Sequence, residues 1–184
     1  MIQAEIAAHQ KVTEALLQQV AQIEGICELV AQRLKAGNKI LFIGNGGSAA
    51  DAQHLAAELS GRFRTERQAL AGLALTTDTS ALTAIGNDYG FEEIFSRQVT
   101  ALGQSGDVLV AISTSGHSPN VLRAIETAKS LGIASIGLSG KDGGQLADKC
   151  DLCLVIPAQD TARIQEMHIL VGHILCQYID SVFV

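Results

Sequence analysis

Five short apolar runs, separated by longer segments of helical periodicity, constrain the fold of this chain more than any other feature. The runs are apolar nearly from end to end, which is typical of strands covered on both faces. Strands that alternate with helices form a parallel sheet, so we predict one α/β domain with a five-stranded, doubly wound, flavodoxin-like sheet flanked by helices. The predicted strands are Lys39–Ile43, Ala71–Leu75, Asp107–Ile112, Ile133–Leu138 and Leu152–Ile156.

Helical segments fill the rest of the chain. Residues 2–35 place an apolar residue at every third or fourth position and predict a helical arm that could break near Gly25. No linker or repeat interrupts the pattern, so we interpret 1–184 as a single domain, with 1–36 as an arm for oligomerisation and 37–184 as the α/β core. The arm is too apolar for one sheet face to cover, and we expect a homotetramer. The remaining predicted helices are at about 48–64, 78–86, 91–102, 119–131, 144–148 and 161–182.

Charge and hydropathy exclude several classes of function. The formal net charge of −6 argues against a nucleic-acid-binding protein, which needs many basic residues facing phosphates. No uncharged apolar run reaches the roughly 18 residues of a membrane span, and the first residues do not resemble a signal peptide. The four cysteines are too scattered for a disulfide framework. We therefore expect a cytoplasmic protein that binds neither nucleic acid nor membrane.

Two glycine- and hydroxyl-rich loops follow the first and third strands, 44–48 (GNGGS) and 113–118 (STSGHS). Ligands of parallel sheets bind beyond the carboxyl ends of the strands, and each loop leads into a helix whose free N–H groups favour anions. We predict a phosphorylated ligand, although ordinary tight turns with serine caps would give a similar pattern. The first loop also fits the GxGxxA dinucleotide fingerprint, but Asp78 stands well beyond the expected spacing of about 20 residues.

Two helices carry groups suited to acid and base chemistry. His54 and Glu58 are four residues apart and share one face of their predicted helix. The last helix carries Gln165, His168 and His173 among apolar residues, where a lone histidine is more often a core residue than a functional one. The pair His54 and Glu58 could bind a metal ion or hold one carboxylate against one imidazole.

Six motifs, in order along nearly the whole chain, resemble those of the phosphoheptose isomerases of the SIS (sugar isomerase) superfamily. The resemblance implies conversion of sedoheptulose 7-phosphate to D-glycero-D-manno-heptose 7-phosphate, the first step toward nucleotide-activated heptose for bacterial surface polysaccharide. One departure is His117, where relatives often have asparagine. The motifs are GNGGS at 44–48, ELSGRF at 58–63, GNDYGF at 86–91, STSG at 113–116, GKDGG at 140–144 and RIQE at 163–166.

The resemblance also implies roles for individual residues. It makes Glu58 the base and His173 its acid partner. It implies a zinc ion, one per subunit, held by His54, Glu58, Gln165 and His173. Further residues are implied to bind substrate: Ser113, Thr114, Ser115 and Ser118 around the phosphate, and Asn45, Gly46, Gly47, Ser48, Asp88 and Gln165 around the sugar.

Helix geometry conflicts with that zinc site if one chain supplies all of it. On a continuous helix, Gln165 and His173 lie about 12 Å apart along the axis and about 80° apart around it. Metal–ligand bonds are only about 2 Å long, so either the helix begins after Gln165 or different chains supply the two residues. We predict a site composed from more than one subunit.

A competing interpretation is a non-enzymatic SIS protein that binds the bacterial replication initiator and shares the 163–168 stretch (RIQEMH). The presence of both Glu58 and His173 favours the enzyme.

Overall fold

A computed structural model describes all residues, 1–184, as a three-layer α/β structure. Its five strands are all parallel and lie in the order β2-β1-β3-β4-β5, which confirms the predicted flavodoxin-like sheet. No helix is both long enough and apolar enough to span a bilayer. The strands are β1 (Ile40–Gly44), β2 (Gly72–Ala74), β3 (Val108–Ile112), β4 (Ala134–Gly140) and β5 (Leu152–Ile156).

Eight α-helices surround the sheet, and the last of them has the predicted bounds. They are α1 (Ile2–Leu16), α2 (Val20–Lys35), α3 (Gly47–Ser60), α4 (Thr79–Tyr89), α5 (Ser96–Leu102), α6 (Pro119–Ser130), α7 (Gly144–Lys149) and α8 (Thr161–Val182), with 3₁₀ turns at Leu17–Gln19 and Phe91–Glu93.

Alternating strand residues divide the interior into two cores, one on each face of the sheet. Ile40 and Phe42 point into the larger core, which α1, α2, α3 and α8 cover, whereas Leu41 and Ile43 point into the smaller one beneath α5, α6 and α7. Successive side chains of a strand face opposite sides, so a strand covered on both sides has to be apolar throughout. This confirms the physical reason for the five apolar runs.

Three helical segments depart most from the sequence prediction, while α4 ends three residues later than predicted, at Tyr89. The arm is interrupted by the turn at Leu17–Gln19, while Gly25 lies within α2, because buried α2 residues such as Ile26 and Val30 outweigh the roughly 1 kcal/mol that a helical glycine costs. The predicted helix at 91–102 begins as a 3₁₀ turn and becomes α-helical only at Ser96. Helix α3 ends at Ser60, four residues early, because Arg67 binds carbonyl groups of its last turn.

Candidate active site

The two predicted loops lie side by side at the carboxyl edge of the sheet, between β1 and β3, where the strand order reverses. Asn45 and Asn120 exchange two amide hydrogen bonds of 2.9 and 2.8 Å and so join the loop after β1 to the start of α6. Asn120 was not predicted as a site residue, because in the sequence it stands just after an ordinary helix start. Together the loops enclose a pocket of about 80 Å³ lined by Asn45, Ser48, Ile112, Ser113, Thr114, Ser115 and Ser118.

Neutral hydrogen-bond donors and two helix N-termini surround this pocket. Ser48 lies in the first turn of α3 and Ser118 precedes α6, so two helix N-termini face the same space. The hydroxyl oxygens of Ser113 and Ser118 are 3.1 Å apart, and Ser118 makes no side-chain cap to its own helix. No lysine or arginine lines the pocket. The arrangement suits a phosphate group held by hydroxyl and N–H donors.

Glycines shape both loops and allow the loop after β3 to approach the loop after β4 closely. Gly46, before α3, has φ +56° and Gly116 has φ +67°, a region that side chains rarely adopt. A Cβ atom at Gly116 would lie 2.0 Å from the carbonyl oxygen of Gly143, in the loop after β4.

Asp78 accepts a hydrogen bond from the N–H of Ala81 and caps the N-terminus of α4. This capping role explains an aspartate at position 78 without a bound nucleotide.

A second polar cluster lies farther along α3, where this helix packs against α8. His54 Nε2 lies 3.1 Å from Glu58 Oε1, and the rings of His54 and His173 meet edge to face at 5.0 Å. Phe63 stacks on His173, with ring centroids 5.4 Å apart. The structure therefore brings the predicted base and acid into one cluster of a single chain, in which both contact His54.

Gln165 lies apart from this cluster because α8 is continuous from Thr161. Its amide lies against Gly47, where an added Cβ atom would be 1.8 Å from Nε2. Beside it is Asp51, which shares a helix face with His54 and was missed by the sequence analysis. Burial raises the pKa of Asp51, and the Gln165 amide and the nearby imidazoles only partly offset that effect. Its Oδ2 atom is buried without a hydrogen-bond partner.

Two further residues are placed away from both clusters. Asp88 is exposed near the end of α4, where it accepts a hydrogen bond from Asn87 and does not line the pocket. His168 is a core residue, since its Nε2 bonds to the carbonyl oxygen of Ser139 and burial lowers its pKa to about 4. No three histidine, cysteine, aspartate or glutamate side chains are arranged to hold a metal ion.

Known proteins are similar to this chain in sequence and in structure over nearly its full length. A family model described as SIS domain matches residues 6–140. A phosphoheptose isomerase from Campylobacter jejuni is 61% identical over 183 residues, covering 100% of this chain and 98% of the relative. The chain belongs to the phosphoheptose isomerase family.

Solved structures of phosphoheptose isomerases agree in fold. One from Neisseria gonorrhoeae superposes with a TM-score of 0.93 at 49% identity, covering 98% of this chain and 97% of the other. Another, from Francisella tularensis, gives a TM-score of 0.92 at 36% identity, covering 98% and 96%. The resemblance inferred from the six motifs is therefore confirmed, and with it the identification of the chain as an isomerase.

Proposed function

We propose that this protein converts sedoheptulose 7-phosphate to D-glycero-D-manno-heptose 7-phosphate, the first step toward nucleotide-activated heptose. The observation that carries the proposal is the cluster of Glu58, His54 and His173, in a chain of the phosphoheptose isomerase family. A carboxylate and an imidazole can supply the base and the acid that aldose–ketose isomerisation through an enediol requires.

Two residues of the cluster, Glu58 and His173, have defined tasks in the reaction. Glu58 removes a proton from C1 of the ketose while His173 donates a proton to the C2 oxygen, which gives an enediol. Glu58 then returns its proton to C2 as the C1 hydroxyl loses its own proton to the imidazole. An aldehyde remains at C1, and both side chains regain their starting protonation states.

The pocket between the two loops binds the phosphate group. Its donors are the hydroxyls of Ser113, Thr114, Ser115 and Ser118 and the N–H groups at the start of α3. Hydrogen bonds from neutral donors to a charged phosphate are stronger than those between neutral groups, and both helix dipoles add to the attraction. Asn45 and Ser48 lie on the side of the pocket formed by the first loop.

The distance between this pocket and the base favours an active site shared by two subunits. Ser48 and Glu58 are separated by about 15 Å along α3. A seven-carbon sugar phosphate spans only about 9 Å from its carbonyl carbon to phosphorus, by standard bond lengths. We therefore expect the pocket of one subunit to face the Glu58 cluster of another, in a cytoplasmic homotetramer. Exposed apolar residues on α1, Ile2 and Ile6, are available for such contacts.

Mixing two inactive variants tests the shared site. One carries Glu58→Gln and the other carries Ser113→Ala with Ser115→Ala. If the pocket and the base come from different chains, random mixed tetramers regain activity in about one site of four. Lack of recovery after proven subunit exchange would place both in one chain, and light scattering that shows a monomer would contradict the tetramer.

We include a zinc ion in this proposal because suitable donor atoms are present, although this single chain does not form a complete zinc site. Imidazole nitrogens and a carboxylate oxygen are common zinc ligands, and His54, Glu58 and His173 lie together. Gln165 is too far along α8 to join them within one chain, so we expect it to come from a neighbouring subunit. A bound zinc ion would polarise the sugar carbonyl. Elemental analysis of purified protein tests for one zinc per subunit.

Turnover of sedoheptulose 7-phosphate by the purified protein tests the function. The Glu58→Gln variant keeps the side-chain volume and removes the base, so we expect a loss of far more than the tenfold that corresponds to about 1.4 kcal/mol of barrier. A variant within tenfold of wild type would refute the role of Glu58. No turnover by a folded wild-type protein would favour the alternative, a protein that binds the replication initiator.

A further inference from the structure

The loop after α3, residues 61–67, is fastened to α8 by a buried carboxylate. Asp180 Oδ2 accepts hydrogen bonds from the backbone N–H groups of Arg64 and Thr65, at 2.7 and 2.8 Å. Asp180 Oδ1 accepts one from Arg67 Nε at 3.0 Å, and both charged side chains are fully buried. Burial acts to raise the pKa of Asp180, but the N–H groups of Thr65 and Arg64 and the Arg67 guanidinium hold it below its usual value.

The same arginine closes the end of helix α3. Its Nη2 atom donates to the carbonyl oxygen of Glu58 at 2.7 Å, and its Nη1 atom donates to that of Leu59 at 3.0 Å. The last carbonyls of a helix have no partners within the helix, so Arg67 supplies a donor to the carbonyl of Glu58, while the carbonyl of Leu59 also accepts from the N–H of Leu70. The backbone of the proposed base is thereby tied, through Arg67 and Asp180, to the helix that carries His173.

The fastened loop places one aromatic ring on the imidazole of the proposed acid. Phe63 stacks on His173 with an interplanar angle of 19°. The guanidinium of Arg64 lies 5.1 Å from the centre of the Phe63 ring and donates to Gln177 Oε1 at 2.9 Å. Since His54 meets the same imidazole edge to face, the ring of His173 is held by two neighbours.

We propose that Phe63 is a positioning residue for the isomerisation, and that the Arg67–Asp180 pair holds the loop that carries it. This inference rests on the proposed function. An acid that protonates a sugar oxygen has to present one ring nitrogen in a fixed direction, and stacking on Phe63 restricts rotation of the imidazole. Phe63 does not line the phosphate pocket, so its effect falls on the chemical step rather than on phosphate binding.

Replacing the ring by an aliphatic side chain tests this role. Phe63→Leu keeps an apolar contact but removes the stacking surface, and we expect kcat to fall between about tenfold and a hundredfold, as for other misplaced catalytic groups. KM should change less than kcat. Phe63→Tyr keeps the ring and should retain most of kcat. The matched control is Tyr178→Leu, which removes another partly buried aromatic ring next to the same core and should leave kcat unchanged.

Two outcomes of this series would overturn the proposal. One is a kcat of Phe63→Leu within about twofold of wild type, a loss too small for a misplaced acid. The other is a Phe63→Leu variant in which kcat falls, KM rises and the melting temperature falls together, when Phe63→Tyr does not restore them. That pattern would indicate a structural role only.

A double variant separates the loop clamp from simple stability. Arg67→Met with Asp180→Leu replaces the buried ion pair by apolar groups, a change that proteins often tolerate, and leaves the N–H groups of Arg64 and Thr65 without their acceptor. We expect a folded protein with reduced kcat. Wild-type kcat in a folded double variant would overturn the role of the Arg67–Asp180 pair. If the double variant does not fold, the Phe63→Leu variant alone decides whether Phe63 positions His173.

Nuclear magnetic resonance gives a reading that does not depend on turnover. The Phe63 ring should shift the imidazole carbon-bound protons of His173 away from the positions of an unstacked histidine, and Phe63→Leu should abolish that shift. An unchanged His173 signal would overturn the stacking. A wild-type protein that shows the shift but no turnover would refute the proposed function instead.

Discussion

The contact between Gly47 and Gln165 allows the role of Gln165 to be tested without changing it. An alanine Cβ at position 47 would lie 1.8, 2.8 and 2.9 Å from Nε2, Cδ and Oε1 of Gln165. Gly47 does not have a positive φ, so the backbone accepts alanine and the clash falls on the end of a flexible side chain. Gly47→Ala should therefore push the Gln165 amide away from the first loop.

The expected magnitudes separate activity from stability. Alanine is better than glycine in a helix by up to about 1 kcal/mol, and a strained glutamine rotamer costs about 0.5–1.5 kcal/mol. These effects nearly cancel, so the melting temperature should stay within about 3 °C of wild type. Loss of one hydrogen bond from Gln165 to substrate costs about 0.5–1.5 kcal/mol, which lowers kcat/KM by about two- to tenfold.

Steady-state kinetics with sedoheptulose 7-phosphate, combined with thermal unfolding, measures both quantities. Gly25→Ala is the matched control, since that glycine lies within α2 and a Cβ atom there would meet nothing within 4 Å. It should leave kcat/KM unchanged. A double variant, Gly47→Ala with Gln165→Ala, should be no worse than Gln165→Ala alone if the clash acts through Gln165. Wild-type kcat/KM in Gly47→Ala, or additive losses in the double variant, would refute the reasoning.

Two other predictions concern the phosphate pocket and the core. Ser113→Ala with Ser115→Ala should weaken inhibition by inorganic phosphate at least about tenfold, because two donors to a charged ligand are lost; unchanged inhibition would contradict the pocket assignment. Because the folded pKa of His168 is about 4, only the unfolded chain binds a proton there between pH 6.5 and 4, so stability falls as pH decreases through this window. Wild type should lose about 3 kcal/mol more than His168→Gln over that range, measured by urea unfolding, and equal losses would show that His168 does not contribute.

The sequence by itself determined the sheet, the position of the ligand loops and the family. Strands covered on both faces must be apolar throughout. Ligand loops such as 113–118 combine hydroxyl side chains with glycines, a combination that is uncommon in other loops. Both signals are local, so they can be recognised without knowledge of packing. The six family motifs are local as well, and Glu58 lies in one of them, whereas His173 lies outside all six.

Only the tertiary structure decided which of these groups meet. Glu58 and His173 are far apart in sequence, and they come together because α3 packs against α8. The early end of α3 depends on Arg67 and on its ion pair with Asp180, which no helical periodicity predicts. Burial and long-range contacts are properties of the folded chain. For the same reason, the stacking of Phe63 on His173 could not be predicted from the order of residues.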